Sequence, residues 1–270
     1  MFEIIKKEKL SEKINLYEVK APRVARKCRP GQFVIVRIVE DCERIPLTIA
    51  DFNRKAETIT LVVQEVGFST ERMGKLKIGD TILDLAGPLG QPSHITQAKT
   101  VLMVAGGLGI APIFPIARAF KEAGNKVISI IGSKSKDLLF WQEKMQNISD
   151  ELLIATDDGT LGHKGFVTEL VKEVLNKEKI DLVLAIGPGV MMYAVVKIVP
   201  EDIQMVVSLN TLMVDGTGMC GGCRVTVGGE TKFTCVDGPE FDGHKIDFAE
   251  FLNRHNIYKK EEEHICQIRL

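Results

Sequence analysis

The sequence has almost no net charge, few cysteines and no long hydrophobic run. Its 270 residues carry 35 Lys and Arg against 36 Asp and Glu, a net charge of −1, which gives no electrostatic basis for binding nucleic acid or an anionic membrane. No apolar run reaches the roughly 18 residues of a membrane-spanning helix, and the N-terminus lacks the apolar core of a signal peptide. These absences predict a cytoplasmic protein without nucleic-acid or membrane partners.

Half of the few cysteines lie close together in one glycine-rich stretch. Residues 215–235 contain Cys220, Cys223 and Cys235, whereas the other three cysteines are scattered. A disulfide between Cys220 and Cys223 would close a very tight ring, and nothing else indicates an oxidising compartment. Metal binding is therefore the favoured interpretation of this stretch.

The spacing of these ligands favours an iron–sulfur cluster. Structural zinc usually takes its ligands as two close pairs, but here one pair is followed by a distant single cysteine. Glycines allow the backbone N–H groups to approach cluster sulfides closely. A carboxylate carries the charge of a thiolate on a harder donor atom, so Asp215 is the candidate fourth ligand. We hypothesise a [2Fe–2S] cluster held by Asp215, Cys220, Cys223 and Cys235; a zinc site, or unligated thiols beside a solvated Asp215, is the alternative.

Residues 1–96 predict an antiparallel β-domain, either a small barrel or a sandwich. Short runs rich in β-branched and apolar residues indicate strands at 14–19, 32–38, 58–63 and 81–85. Turn residues separate them at 30–31, 51–53 and 79–80.

Three segments of this domain are candidates for ligand binding. Residues 44–48 place a guanidinium and a hydroxyl around a proline, residues 67–70 offer small side chains and free N–H groups suited to phosphate, and residues 87–90 close the domain. Each segment also has an ordinary explanation as a surface arginine, a polar loop or a turn.

Residues 97–206 predict a doubly wound α/β domain. The apolar strand 100–105 is followed by Gly106-Gly107-Leu108-Gly109 and a helix over 112–123, the arrangement that presents a helix N-terminus to a pyrophosphate. Further strands at 127–131, 152–156 and 182–186 alternate with helices, and a Gly-Pro-Gly turn follows the last of them. A helix-packing turn without a ligand is the alternative for the first glycine turn.

The sequence does not decide between NAD and NADP. The acidic residue that usually ends the second strand is missing, and Gly132-Ser133-Lys134 stands there instead. Ser133 and Lys134 suit either a 2′-phosphate or an ordinary solvated turn.

Residues 207–270 form the predicted cluster-binding segment. It contains a hairpin with strands at 224–227 and 231–234 around Gly228-Gly229, a short helix over 247–254 and a charge run at 259–263.

The order of the motifs resembles the ferredoxin–NADP reductase superfamily. R-I-P-L-T, G-F-S-T, G-P-L-G, G-G-L-G-I-A-P, T-D-D-G and G-P-G-V-M-M follow one another along nearly the whole chain. With the C-terminal cysteines, the chain is similar to the electron-transfer subunit branch typified by dihydroorotate dehydrogenase. Because Asp215 stands where that branch has its first cysteine, the chain most resembles the sister group of NADH-dependent reduced ferredoxin:NADP oxidoreductase small subunits. That group is also described as sulfide dehydrogenase subunits.

The resemblance implies roles for individual residues. FAD would be bound by Arg44, Ile45, Pro46, Leu47, Thr48, Val62, Val63, Gln64, Gly67, Ser69 and Thr70. NAD(H) would be bound by Gly106, Gly107, Gly109, Asp157, Gly187, Pro188 and Met191. Ser69 replaces the second glycine of the usual flavin loop.

The resemblance also implies a redox function. An NADH hydride carries two electrons and an iron–sulfur cluster takes one at a time, so a flavin must stand between them. The chain would pass electrons between NADH and a larger flavin and iron–sulfur subunit through FAD and the [2Fe–2S] cluster, with ferredoxin and NADP(H) bound by that partner. No side chain need act as an acid or base. The alternatives are the dihydroorotate dehydrogenase electron-transfer subunit and a non-enzymatic, zinc-stabilised binding module.

Overall fold

The computed structural model describes residues 1–255 and 257, so the charge run 259–263 and Cys266 lie outside the described residues. The described strands form two seven-stranded sheets and one two-stranded hairpin. Among these residues, no helix has the length and apolar character needed to cross a membrane.

The first sheet is antiparallel and nearly closed into a barrel. Its strand order is β6-β1-β2-β5-β4-β3-β7, so the two end strands follow one another directly in the chain. Its elements are β1 (Phe2–Ser11), β2 (Ile14–Lys20), α1 (Pro22–Lys27), β3 (Phe33–Arg37), β4 (Ile45–Asn53), β5 (Thr58–Gln64), α2 (Phe68–Lys75), β6 (Thr81–Ile82) and β7 (Asp84–Leu89).

The structure corrects the sequence prediction at three places in the barrel. The strand predicted at 81–85 is interrupted at Leu83, between β6 and β7. Residues 51–53 are not a turn but the end of β4, paired with β5. The chain turns just after them, where Asn53 Oδ1 accepts bonds from the N–H groups of Lys55 and Ala56 at 3.0 and 2.9 Å. β1 went unpredicted because its many Lys and Glu side chains are mostly exposed and only Ile4 is buried. Pairing with β2 and β6 holds it in the sheet.

The second sheet confirms the predicted doubly wound α/β domain. Its order is β11-β10-β9-β8-β12-β13-β16, and all of its strands are parallel except β16. The strands are β8 (Thr100–Gly106), β9 (Lys126–Ser133), β10 (Glu151–Thr156), β11 (His163–Lys164), β12 (Leu182–Ile186), β13 (Gln204–Ser208) and β16 (Glu240–Asp242). The helices are α3 (Ile110–Glu122), α4 (Gln142–Ile148), α5 (Val167–Lys177) and α6 (Gly189–Val196).

Helices cover both faces of this sheet because its strands are apolar on both sides. Val101 and Met103 of β8 pack with α3 and α4, while Leu102 and Val104 pack with α5 and α6. The chain reverses its direction across the sheet between β8 and β12. The glycine turns that follow these two strands therefore meet at the switch point, where doubly wound folds bind ligands.

The C-terminal segment adds the predicted hairpin, β14 (Arg224–Val227) and β15 (Glu230–Phe233), and the helix α7 (Phe248–His255). Gly228 and Gly229 form the turn with φ of +61° and +82°. Its strand β16 pairs with β13, so this segment shares a sheet with the α/β domain. The domain boundaries at 96/97 and 206/207 stay predictions.

Candidate functional site

A cavity of about 1000 Å³ lies between the barrel and the parallel sheet. The barrel contributes one wall, the ends of β8 and β12 contribute another, and the loop before the cysteines closes one side through Met213. This volume lies at the upper end of the range of small-molecule sites. The cavity joins the two regions for which the sequence predicted cofactor binding.

The barrel wall contains five of the residues predicted to bind FAD. In β5, strand alternation decides which of them face the cavity, because neighbouring side chains point to opposite sides. In β5, Val62 and Gln64 line the cavity, whereas Val63 packs into the barrel core. In β4, Ile45 packs against that core. The five lining residues are Pro46, Leu47, Thr48, Val62 and Gln64.

The other predicted FAD residues lie at the start of helix α2 or next to it. Gly67 is the residue that precedes α2, and Thr70 Oγ1 accepts the N–H groups of Val66 and Gly67 at 3.0 Å. Ser69 Oγ accepts the N–H of Glu43 at 3.2 Å, which ties the segment around Arg44 to the helix start. Both hydroxyls thus stabilise the loop, and the N–H groups of the helix N-terminus are what this segment offers to an anion. None of these residues is among those that line the cavity.

On the sheet side, Gly109 is required by close backbone packing. A Cβ on this residue would lie 2.2 Å from the carbonyl oxygen of Ile186, at the end of the neighbouring strand β12. Gly107 differs, because it has φ of +55° and a Cβ there would meet nothing within 4 Å. Gly107 also lines the cavity. It therefore leaves open space at the start of α3, where a phosphate can approach the backbone.

The second glycine turn packs against the first. A Cβ on Gly106 would lie 2.4 Å from Met191 Sδ, and one on Gly187 would lie 3.1 Å from the backbone of Gly106. Asp157 lies at the same edge of the sheet, where its N–H donates to the Ser133 carbonyl at 3.1 Å. All seven residues predicted to bind NAD(H) line the cavity.

Several cavity residues were missed by the sequence interpretation. They come from loops and from the far C-terminal helix: Phe166, Asn210, Met213, Pro239 and Phe251. Phe166 is 64% exposed although it is a large aromatic residue, and exposure of this kind often marks a contact surface. Nothing in the local sequence indicates that these residues line a cavity, so only the tertiary structure reveals them.

The structure brings the four predicted cluster ligands together as two pairs. Asp215 Oδ1 lies 3.4 Å from Cys220 Sγ, and Cys223 Sγ lies 3.2 Å from Cys235 Sγ. Within residues 1–255 and 257, no three His, Cys, Asp or Glu side chains are grouped as a single metal ion would require. The four side chains are arranged as two separate pairs of donor atoms, which suits a centre with two metal atoms.

Backbone N–H groups hold the Asp215 carboxylate in its charged form. It accepts bonds from the N–H groups of Thr217, Met219 and Cys220 at 3.0–3.1 Å. These bonds, led by that from Thr217, lower the pKa of Asp215 to about 2. The side chain is thus an anionic oxygen donor at neutral pH, as a metal ligand must be.

The second pair is buried against the barrel. Cys223 and Cys235 are each 1% exposed and pack with Phe33, Ile35 and Met213. Burial beside Cys223 raises the pKa of the Cys235 thiol to about 12, so only a strongly bound cation would favour two thiolates here.

The loop suits an iron–sulfur cluster in its backbone as well as in its ligands. Gly216, Gly218 and Gly221 have φ between +68° and +85°, and the N–H of Gly222 lies 3.4 Å from Cys220 Sγ. Backbone N–H groups that face sulfur in this way are typical of iron–sulfur loops. Nearby, the buried hydroxyls of Thr211 and Thr234 have no hydrogen-bond partner among the described residues.

Two family models match separate parts of the chain. Residues 103–197 match the oxidoreductase NAD-binding domain, and residues 210–247 match the iron–sulfur cluster binding domain of dihydroorotate dehydrogenase B. The first match contains both glycine turns, and the second contains all four candidate cluster ligands.

Whole-chain relatives and solved structures agree with these matches. A Thermotoga maritima homolog of the dihydroorotate dehydrogenase B (NAD(+)) electron transfer subunit is 46% identical over 97% of this chain and 93% of its own. A probable subunit of the same name from Methanocaldococcus jannaschii is 37% identical over 86% of this chain and 85% of its own. The structure of an NADH-dependent reduced ferredoxin-NADP oxidoreductase, studied for flavin-based electron bifurcation, matches with a TM-score of 0.95 at 45% identity, covering 100% of this chain and 97% of that one.

A more distant structure, phthalate dioxygenase reductase, shares the fold with a TM-score of 0.61 at 16% identity over 84% of this chain and 85% of that one. The fold class and the resemblance that the motif order predicted are both confirmed. The chain belongs to the family of dihydroorotate dehydrogenase B electron-transfer subunits and their homologues, within the ferredoxin–NADP reductase fold.

Proposed function

We propose that the chain is the electron-transfer subunit of a flavin-based, electron-bifurcating NADH/NADPH/ferredoxin oxidoreductase. It passes electrons between NADH and a larger partner subunit through FAD and a [2Fe–2S] cluster. The observation that carries the proposal is the single cavity that joins the barrel segment 46–48 to both glycine turns and to Met213 of the cysteine loop. One connected space suits a flavin that must contact a nucleotide on one side and transfer electrons to a cluster on the other.

The barrel side of the cavity is the FAD site. Pro46, Leu47 and Val62 provide an apolar wall, and the Gln64 amide provides a donor and an acceptor at its edge. The start of helix α2 supplies N–H groups and positive partial charge for the pyrophosphate, with the Arg44 guanidinium on the adjoining segment. FAD supplies the exchange between two-electron and one-electron transfer.

The sheet side of the cavity is the NAD(H) site. The first turn of α3 and the open space at Gly107 receive the pyrophosphate. Pro188 and Met191 form an apolar wall that orients the nicotinamide ring and excludes water. The chain's role in hydride transfer is to bring the two rings together, so no residue is assigned as an acid or base.

The cysteine loop holds the [2Fe–2S] cluster with one pair of ligands for each iron. Asp215 and Cys220 would hold one iron, and Cys223 and Cys235 would hold the other, in keeping with their pairing at 3.4 and 3.2 Å. The first pair is more exposed than the second, because Cys220 is exposed and Cys223 is buried. The chain therefore presents one end of the centre towards a partner.

The proposed partner is a larger flavin and iron–sulfur subunit that binds ferredoxin and NADP(H). The second candidate is the electron-transfer subunit of dihydroorotate dehydrogenase, and Asp215 in place of a cysteine is what favours the bifurcating enzyme. We propose the cytoplasm as the location, which the free buried thiols of Cys28 and Cys42 support.

The first test is an anaerobic visible spectrum of the purified chain before and after NADH, with iron and zinc assayed on the same sample. Flavin bands over a broad iron–sulfur background, two irons per chain and bleaching by NADH support the proposal. Zinc without flavin would contradict it and leave the zinc-stabilised binding module.

The second test identifies the partner. The complex purified from its native cells is assayed for NAD⁺ reduction, once with dihydroorotate as the electron donor and once with NADPH as the donor and oxidised ferredoxin as the second acceptor. Activity that requires both NADPH and ferredoxin supports the bifurcating enzyme, whereas activity with dihydroorotate supports the second candidate.

A further inference from the structure

An arginine on helix α7 contacts the backbone between two candidate cluster ligands. Arg254 Nη2 donates to the carbonyl oxygen of Gly222 at 3.0 Å. Gly222 is the second of the two glycines between Cys220 and Cys223, and its N–H lies 3.4 Å from Cys220 Sγ. The guanidinium therefore holds the carbonyl group of Gly222, and the N–H of the same residue faces the sulfur of Cys220.

The position of Arg254 is fixed by the rest of helix α7. The N–H of Asp247 donates to the Thr226 carbonyl at 3.0 Å, and Glu250 Oε2 accepts the N–H of Thr226 at 3.2 Å. These bonds attach α7 to the hairpin that follows Cys223. On its other side, α7 packs on Gly189, where a Cβ would lie 2.8 Å from both Phe251 and Leu252.

The charge of Arg254 is permanent and incompletely screened. A guanidinium stays protonated at every pH at which a protein is folded. Arg254 is half-buried, so its field is weakened by water less than that of an exposed side chain. Arg224 is exposed and makes a longer contact, 3.4 Å, to the preceding carbonyl of Gly221. Among the described residues, Arg254 thus makes the shorter of the two arginine contacts with this loop.

We propose that Arg254 is a positioning residue that fixes the Cys-Gly-Gly-Cys loop and raises the reduction potential of the centre bound there. Reduction adds one negative charge to the centre, and a nearby cation stabilises that charge. The bond to Gly222 also keeps the adjacent N–H directed at sulfur, and such bonds raise the potential of iron–sulfur centres. The inference rests on the cluster assignment of the proposed function.

The test is an EPR-monitored redox titration of the full chain, purified anaerobically with its cofactors. We expect Arg254→Met to lower the potential, so that the ratio of reduced to oxidised cluster at a fixed applied potential falls about tenfold, which corresponds to about 59 mV for a one-electron couple. Arg254→Lys keeps the charge and should remain closer to the wild type. Lys232→Met is the matched control, since Lys232 lies in the hairpin that follows Cys223 and its ammonium group pairs with Glu230 at 2.7 Å.

A second variant removes the charge but keeps a polar side chain. Arg254→Gln carries an uncharged amide on a shorter side chain, so we expect it to retain two irons per chain and still to lower the potential. A wild-type potential in both the Met and Gln variants would overturn the proposal, as would an equal shift in Lys232→Met. A wild-type chain that binds no iron would overturn the cluster assignment itself, which the iron assay detects independently.

Discussion

Arg118 and Asp51 form an ion pair that joins the two sheets, with Arg118 Nη2 2.7 Å from Asp51 Oδ1. Arg118 lies on α3, which begins at the first glycine turn, and Asp51 lies on β4, which begins at the predicted flavin segment. The guanidinium also lies over the ring of Phe114, 5.2 Å from its centroid, and the N–H of Phe52 donates to the same carboxylate oxygen at 2.8 Å. The pair therefore links the two walls of the cavity.

Breaking this pair should slow the reduction of the flavin by NADH and lower the stability of the fold only slightly. We expect Arg118→Met and Asp51→Asn each to lower the free energy of unfolding by about 1 kcal/mol, because the pair is partly exposed, and the double variant to show coupling of at least about 0.5 kcal/mol. Stopped-flow reduction by NADH should slow in all three, since the two rings are held less accurately. Lys121→Met is the control, because Lys121 lies on the same helix as Arg118 but pairs with Asp150, which lies between α4 and β10 of the α/β domain. If the stability losses of the two single variants simply add up in the double variant and the reduction rates are unchanged, the pair does not have this role.

Two neighbouring glycines should respond differently to the same substitution. Gly107→Ala meets open space, so its cost should be the backbone strain of positive φ, about 1–2 kcal/mol. Gly109→Ala places a Cβ 2.2 Å from the Ile186 carbonyl, so overpacking should cost about 3 kcal/mol and disturb the contact of α3 with β12. We expect Gly107→Ala to weaken NADH binding although the fold is retained. Chemical denaturation measures the free energy of unfolding, and NADH titration measures the affinity. An unaltered NADH affinity in Gly107→Ala would show that the phosphates bind elsewhere.

The sequence predicted those features that depend on neighbours in the chain. The glycine turn at 106–109, the Gly228-Gly229 hairpin and the parallel strands each follow from local residue types. The features it missed depend on distant pairing. The charged β1 is held by β2 and β6, and β16 joins a sheet whose previous strand ends about thirty residues earlier. Likewise, no periodicity could place Phe251 in the cavity or Arg254 on the cysteine loop.

The stability of the chain should depend on pH through Glu240 of β16. Its carboxyl group is hydrogen-bonded to Ser93, which lies in the segment between the two sheets. Burial raises the pKa of Glu240 to about 7, although a bond of 2.5 Å from the Ser93 hydroxyl acts to lower it. A carboxyl with a raised pKa binds its proton more tightly when folded, so stability falls as pH rises from about 4.5 to about 7 and the penalty is constant above that range. Glu240→Gln should remove this penalty. It should stabilise the chain by up to about 3 kcal/mol at pH 8 and have no effect at pH 4.

Denaturation of both proteins at several pH values tests this effect. Glu122→Gln is a suitable control because Glu122 is largely exposed, at 71%, and lies 4.0 Å from its arginine partner. A stability difference between wild type and Glu240→Gln that is the same at pH 4 and pH 8 would show that packing, rather than ionisation, is responsible.

The substitution that tests the reason for preferring the bifurcating enzyme is Asp215→Cys. A thiolate is a softer and more covalent iron ligand than a carboxylate, so the variant should keep two irons per chain while its sulfur-to-iron absorption increases and its potential changes. Asp215→Ala is the matched variant without a ligand, and we expect it to lose iron. The loop should also become less ordered in Asp215→Ala, because three backbone N–H groups lose their common acceptor. If Asp215→Cys has the spectrum and potential of the wild type, Asp215 is not an iron ligand, and the reason for preferring the bifurcating enzyme is removed.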